Sequence, residues 1–224
     1  MNVQTQANTD EYEARLILFS AIEPGHTGWS QEIQRVGAIT VLHGLLGGEY
    51  DSKSCSNLLR LIENTDSELL HTAVKESGSE FIYPGHSQWP QQIDQLSNPP
   101  IGLIVKGDLS VLSQKSIAIV GTREPSQYGK EMASSFATAF VNQGWNVVSG
   151  GALGIDTCAH VAALKSSGKT IAVFASGVLV DYPTSNSRLF KAISTNGVLV
   201  SEVMPDVHAV QSRFLVHCAR VHLY

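Results

Sequence analysis

From Lys115 onward, short β-branched runs alternate with helical stretches, and no other feature of the chain limits its possible folds as strongly. Residues 117–120, 146–149, 170–175 and 198–201 read as strands. Residues 128–143, 155–165 and 187–195 read as the helices between them, the first carrying Met132, Phe136 and Phe140 on one face. Strands separated by helix-length returns build a parallel sheet, because parallel neighbours cannot be joined by a tight turn. Gly144, Gly168 and Gly197 each follow a helix, where a left-handed cap favours glycine. The fold class expected is α/β.

Upstream the period changes. Between Glu11 and Ala73 apolar residues recur at helical spacing: Leu16, Ile17 and Phe19, then Ile33 and Val36, then Leu42, Leu45 and Leu46, then Leu58, Leu59 and Ile62. Pro24-Gly25 and Gly47-Gly48 punctuate the pattern with turn chemistry. Residues 1–76 are therefore expected to form a small helical domain and residues 115–224 the α/β domain. Residues 77–114 read as a connector and approach segment, rich in Gly, Pro, Gln and Ser but holding Tyr83 and Trp89. It is expected to lie ordered over a neighbour.

No apolar run is long enough to cross a bilayer, and the first ten residues lack the pattern of a signal peptide, so a soluble cytoplasmic protein is expected. Cys55, Cys158 and Cys218 are widely separated, without metal-ligand or redox-pair spacing, which fits thiols in a reducing compartment. The net charge of −5 argues against a protein that coats nucleic acid wholesale. Its distribution is uneven. Residues 1–114 hold 6 basic and 14 acidic side chains, and residues 115–224 hold 9 basic and 6 acidic, so the second part is the better partner for an anion.

In an open parallel sheet ligands bind beyond the carboxyl ends of the strands, so the loops there are where chemistry is expected. After the first strand stands Gly121-Thr122-Arg123-Glu124-Pro125-Ser126: a glycine for close backbone approach, an arginine shaped for a phosphate, and a serine suited to cap a helix. A plain turn with a solvated arginine fits the spacing equally well. After the second strand, Ser149-Gly150-Gly151-Ala152-Leu153-Gly154-Ile155-Asp156 opens a helix whose free amides suit an anion. The spacing is not the dinucleotide fingerprint, so no nicotinamide or flavin cofactor is expected. Gly168-Lys169-Thr170 is not a P-loop either, since Ala163 stands where a glycine is required and the triplet precedes a strand. Asp156 and His160 share a helix face, a spacing open to acid–base work, one edge of a metal site, or a helix-start acid with its partner. No third ligand or nucleophile accompanies them, and neither a metal nor catalysis is expected. Further on, Gly177, Tyr182-Pro183 and Asn186 follow the third strand, with Tyr182 a candidate to stack on a base or to cover the sheet edge.

Taken in order, Ile117-Ala118-Ile119-Val120-Gly121-Thr122-Arg123, Pro125-Ser126, Tyr128-Gly129, Val147-Val148-Ser149-Gly150, Gly154-Ile155-Asp156, Ala159-His160, Thr170-Ile171-Ala172-Val173, Gly177, Tyr182-Pro183, Asn186 and Ser201-Glu202 resemble the DprA/Smf family. The resemblance runs from about residue 82 to residue 216, since Tyr83-Pro84, Asn98-Pro99-Pro100 and Gly107-Asp108-Leu109 are similar to that family's approach segment. Ile22-Glu23-Pro24-Gly25 stands where a helix-hairpin-helix-like element belongs. The resemblance implies a Rossmann-like domain that binds and protects single-stranded DNA and assists RecA loading in natural transformation, without catalysis. By matched position it implies that Arg123, Ser149, Gly150 and Gly154 line a phosphate pocket, with Lys169 a weaker basic candidate, and Gly121, Thr122, Gly151, Asp156, Gly177 and Asn186 are further candidates for DNA or phosphate contacts.

Two departures stand out. Gly151 occupies a position where the family usually has leucine, and His217-Cys218-Ala219 replace an expected Arg-Asn-Arg element. The resemblance implies a domain incomplete at its C-terminal side, with residues 198–201 as a last strand whose outer edge is unfilled. It also puts a homodimer and a RecA contact in question. An enzyme reading, a nucleotide-binding phosphoribohydrolase on the same kind of sheet, and a non-functional truncated fragment stand as alternatives.

Overall fold

The computed structural model describes residues 10–208. Five helices come first: α1 (Glu11–Ala21), α2 (Thr27–Val36), α3 (Ala38–Gly47), α4 (Ser52–Glu63) and α5 (Ser67–Glu76). Short polar side chains start most of them. Asp10, Asp51 and Asp66 accept first-turn amides of α1, α4 and α5, satisfying donors the helix itself leaves open. Gly37 (φ +88°) and Gly48 (φ +75°) make the sharp turns at either end of α3.

The remaining elements are β1 (Glu80–Ile82), β2 (Leu103–Gly107), β3 (Ser116–Ala118), α6 (Gln127–Asn142), β4 (Asn146–Gly150), α7 (Ile155–Lys165), β5 (Thr170–Phe174), α8 (Ser187–Asn196) and β6 (Val198–Ser201). The sheet order is β1-β2-β6-β5-β4-β3, with β3, β4, β5 and β6 parallel and β2 antiparallel to both β6 and β1. The α/β class and the four strands read from the sequence stand, with boundaries shifted by one or two residues.

Two expectations are corrected. The sheet is mixed and not wholly parallel, because the segment read as a connector supplies β1 and β2. Nor is β6 an unfilled edge: Val200 pairs with Val173 on one side and with Val105 on the other. The edges among the described residues are β1 and β3. The residues from His217 on, where the family resemblance breaks off, lie outside the described residues, as does Cys218.

Side chains alternate across the strands and sort into two faces. One face carries Ile104, Ala172, Phe174 and Leu199, which share a core with Leu16, Ile17, Leu18, Leu42 and Ile62 of the N-terminal helices and with Phe190 and Ile193 of α8. The opposite face carries Leu103, Val105, Val148, Ile171, Val173, Val198 and Val200 and is closed by Trp89 and by Ile93, Val111 and Leu112 from short 3-10 turns. So residues 77–114 do lie over a neighbour, and the neighbour is the sheet to which they also contribute. Ser30 Oγ donates to Pro99 O (2.7 Å), Asn98 Nδ2 to Gly25 O (2.8 Å), and the buried Arg15 donates from Nη1 to Ile101 O (2.8 Å), joining the helices to this segment.

Close packing accounts for two glycines read as helix caps. Gly144 does take a left-handed φ of +79°, but after α7 it is Ser167 (φ +59°) that turns, and neither Gly168 nor Gly197 has positive φ. A Cβ on Gly168 would lie 2.5 Å from Val141 Cγ1, and one on Gly197 2.2 Å from Thr170 O. The face of α6 also differs from expectation. Ala133 and Ala137 are its buried residues, whereas Phe136 is 56% exposed and Tyr128 70%.

Candidate functional site

Because β3, β4 and β5 run parallel, their carboxyl ends deliver three loops to one end of the sheet. The loop after β3 carries Gly121, Thr122 and Arg123, all exposed, and ends at Ser126, whose Oγ accepts Gly129 N–H (3.2 Å) and starts α6. The loop after β4 holds Gly150 through Gly154 and leads into α7. The two are locked together. Gly154 takes φ +86° and ψ −124°, a Cβ there would lie 2.3 Å from Thr122 O, and the next amide, Ile155 N–H, donates to Thr122 O (3.2 Å). Gly121 is equally constrained, since its Cβ would fall 2.7 Å from Ile155 Cγ1. Ser149 is fully buried in β4 and donates its hydroxyl to Ile119 O (2.6 Å), fixing the end of β3.

Three consecutive carbonyls of the β4 loop are turned toward the protein. Gly150 O accepts from His160 Nε2 (2.8 Å), Gly151 O from Asn186 Nδ2 (3.2 Å), and Ala152 O from Thr157 Oγ1 (2.9 Å). In a trans peptide the following N–H points the opposite way. The N–H groups of Gly151, Ala152 and Leu153 are therefore turned away from His160, Asn186 and Thr157. Asp156 Oδ2 takes the Ala152 amide (3.4 Å), and no partner for the Gly151 and Leu153 amides is seen among the described residues. Leu153 is 45% exposed. The loop thus offers partial positive charge beside the exposed Arg123, at the start of α7, where the helix dipole adds to it.

Asp156 is buried, and burial raises its pKa above the ordinary carboxylate value. The Ala152 amide, the polar groups of Ser149 and Gly121 nearby, and the Arg123 charge pull the other way. It belongs to the loop's internal scaffold and not to an anion-contacting surface. His160 is wholly buried with Nδ1 facing Thr170 Oγ1 (2.7 Å), and desolvation lowers its pKa to about 4. The Asp156–His160 pair read from the sequence is thus two loop supports aimed at different backbone groups. Among the described residues no three His, Cys, Asp or Glu side chains gather as a metal site.

Of the residues singled out by sequence, Gly121, Thr122, Arg123, Ser149, Gly150, Gly151, Gly154, Asp156 and Asn186 come together at this end. Tyr182, 52% exposed, joins them: its carbonyl lies 3.4 Å from the Cβ that Gly151 lacks. Gly177 is covered, because its amide donates to Val207 O (2.7 Å) and a Cβ would meet Met204 O at 2.2 Å. Lys169 lies at the amino end of β5, a strand's length of roughly 15 Å from the loops. There it pairs with Asp108, and the Lys169 contact holds the Asp108 carboxyl below its ordinary value. Thr157 was not legible as a site residue, since its bonds to Ala152 and Asn186 exist only in the folded loop.

No helix among the described residues is long and apolar enough to cross a membrane. Over the whole molecule the structure is similar to that of DNA processing protein A from Streptococcus pneumoniae, with a TM-score of 0.78, 24% identity, and coverage of 96% of this chain and 75% of that one. The DNA processing protein A of Helicobacter pylori, whose solved structure concerns its binding of single-stranded DNA, matches with a TM-score of 0.58 and 32% identity over 65% of this chain and 66% of its own. By sequence, the DNA processing protein DprA of Bacillus subtilis is 37% identical over 135 residues, and that of S. pneumoniae 36% over 174 residues. Those alignments cover 60% and 76% of this chain, and 46% and 60% of the relatives. The chain spans about half the length of the curated relatives it matches. Residues 80–218, more than half of the sequence and the whole of the sheet, match the DNA recombination-mediator protein A family, and the chain belongs to that family.

Proposed function

We propose that the crest formed by Gly121–Arg123 and the β4 loop binds the phosphodiester backbone of single-stranded DNA, and that the protein serves DNA processing in recombination. The observation that carries this reading is the inward turn of three consecutive carbonyls at Gly150, Gly151 and Ala152, beside the exposed Arg123. Backbone binding needs cations and oriented amides, and it needs no nucleophile. Tyr182 and Tyr128 supply exposed rings on which unpaired bases stack, a contact that duplex DNA denies. The single-stranded DNA bound by the H. pylori relative supports the same ligand here.

Fluorescence anisotropy with labelled oligonucleotides tests it: single strands bind more tightly than duplex of equal length. Arg123→Ala weakens binding about tenfold or more and lowers the salt slope by about 0.7. Unchanged affinity and slope in the variant would sink the assignment of Arg123. The crest is read as a binding surface, so neither ATP nor nucleoside monophosphate is turned over. Steady nucleobase release that disappears on Asp156→Ala would overturn that. Assistance to RecA during transformation, self-association and a cytoplasmic location follow from the family resemblance. Faster RecA filament growth on single-stranded DNA in the presence of the protein is the expected outcome.

A further inference from the structure

We propose that Asn186 is a positioning residue, which sets the peptide orientation of the β4 loop and does not itself grip the phosphate. The inference rests on the DNA-binding reading of the crest. Asn186 sits in the loop after β5 and is only 6% exposed. Its Nδ2 lies 3.2 Å from Gly151 O and 2.9 Å from Thr157 Oγ1. A carbonyl only accepts, which fixes the nitrogen of the carboxamide on this side. Thr157 passes its own proton to Ala152 O (2.9 Å), so one carboxamide fixes two successive peptides: Gly151 directly, Ala152 through Thr157. His160 fixes the peptide before them through Gly150 O. The donors of Asn186 are spent on Gly151 O and Thr157 Oγ1, and its burial keeps the side chain off the surface where a phosphate would sit. What it determines is the direction of the amides on the far side of those peptides: that of Ala152, which Asp156 takes, and that of Leu153, for which no partner is seen among the described residues. Because Asn186 belongs to a different crest, it also couples the β5 loop to the β4 loop across 35 residues of sequence.

Two variants of similar size separate the roles. Asn186→Leu removes the donors without adding charge, and Asn186→Asp replaces them with a carboxylate that faces Gly151 O and Thr157 Oγ1 and regains one donor when protonated. At about pH 7.5 both variants bind labelled single-stranded DNA at least about tenfold more weakly than the parent protein, with an unchanged salt slope, since no cation is removed. As the pH falls to about 5.5, Asn186→Asp recovers most of its affinity and Asn186→Leu does not. The parent protein measured at both pH values accounts for any titration of Asp156 and His160, which hold the same loop. In DNA-free protein, the amide resonances of Ala152 and Leu153 move in both variants. If those resonances stay in place, or if the acid recovery is absent, the positioning role is overturned. Should the parent protein bind no single-stranded DNA at all, the DNA reading fails, while the DNA-free resonances still decide the role of Asn186. Should Asn186→Leu not fold, the pH response of Asn186→Asp decides.

Discussion

His160 shows how one buried side chain ties loop geometry to pH. Its ring is wholly buried between the end of β4 and the start of β5, and its pKa is lowered to about 4 from an ordinary value of 6.5. Above pH 6.5 the ring is neutral in both the folded and unfolded chain and has no effect on the pH dependence of stability. Below that value the unfolded chain takes up a proton that the folded one refuses, so stability falls as the pH drops toward 4, by on the order of 3 kcal/mol over the whole window. Asp156 acts in the opposite sense, because burial raises its pKa and the folded state binds its proton first. Thermal melts between about pH 7 and pH 4 should show a falling midpoint that flattens in His160→Gln, which keeps a donor for Gly150 O and has no charge to gain. Equal pH dependence in both proteins would exclude His160 as the source. Gly154 is the other residue on which the crest depends. With φ at +86° and Thr122 O only 2.3 Å from the missing Cβ, Gly154→Ala should cost at least about 3 kcal/mol, measured by denaturant titration.

Helix α6 separates what periodicity reveals from what it does not. Met132, Phe136 and Phe140 recur every four residues and mark an apolar face, yet the helix meets α7 and β4 through Ala137, whose small size permits close approach, and its other buried residue is Ala133. Phe136→Gln should therefore change stability by less than about 1 kcal/mol, while Ala137→Leu, which must overpack a filled interface, costs about 1–3 kcal/mol. The reverse ranking in urea melts would show that α6 sits on its aromatic face. Spacing counts apolar residues on one helix, and which stripe is covered depends on neighbours that a local pattern does not contain. The same reason hid β1 and β2. Phe81-Ile82 and Leu103-Ile104-Val105 are short apolar runs, and they become strands only because Val105 meets Val200, far along the chain. The strands β3, β4 and β5 were legible because each repeats one local unit of strand, glycine-bearing loop and helix. The loop glycines and Arg123 were visible for that reason, whereas the bonds of Asn186 and Thr157 arise from contacts between crests.

At the scale of the whole molecule, the N-terminal helices and the sheet are not separable bodies in their packing. Leu16, Ile17, Leu18 and Leu42 bury against the same core as Ile104, Ala172 and Leu199, and each such side chain contributes about 1.5–3 kcal/mol only while that shared core exists. The helices have no other large apolar partner among the described residues, and the sheet face beneath them would be open to water without them. Arg15 strengthens the junction. It is 8% exposed, ion-paired to Glu11, and donates to Ile101 O, so removing it leaves a buried carbonyl without its partner. Unfolding should then be a single cooperative event. Two tryptophans report on its two ends: Trp29 in α2, edge-on to Tyr50, and Trp145 before β4, edge-on to Phe140. In variants retaining only one of these, with the other tryptophans changed to phenylalanine, the fluorescence transitions of Trp29 and Trp145 should coincide with each other and with far-ultraviolet circular dichroism. Arg15→Ala should shift all of them together, by about 1–3 kcal/mol. A Trp29 transition that runs ahead of the Trp145 transition would mean that the helices leave a sheet able to stand without them, and the shared core would then be a docking contact between two folding units.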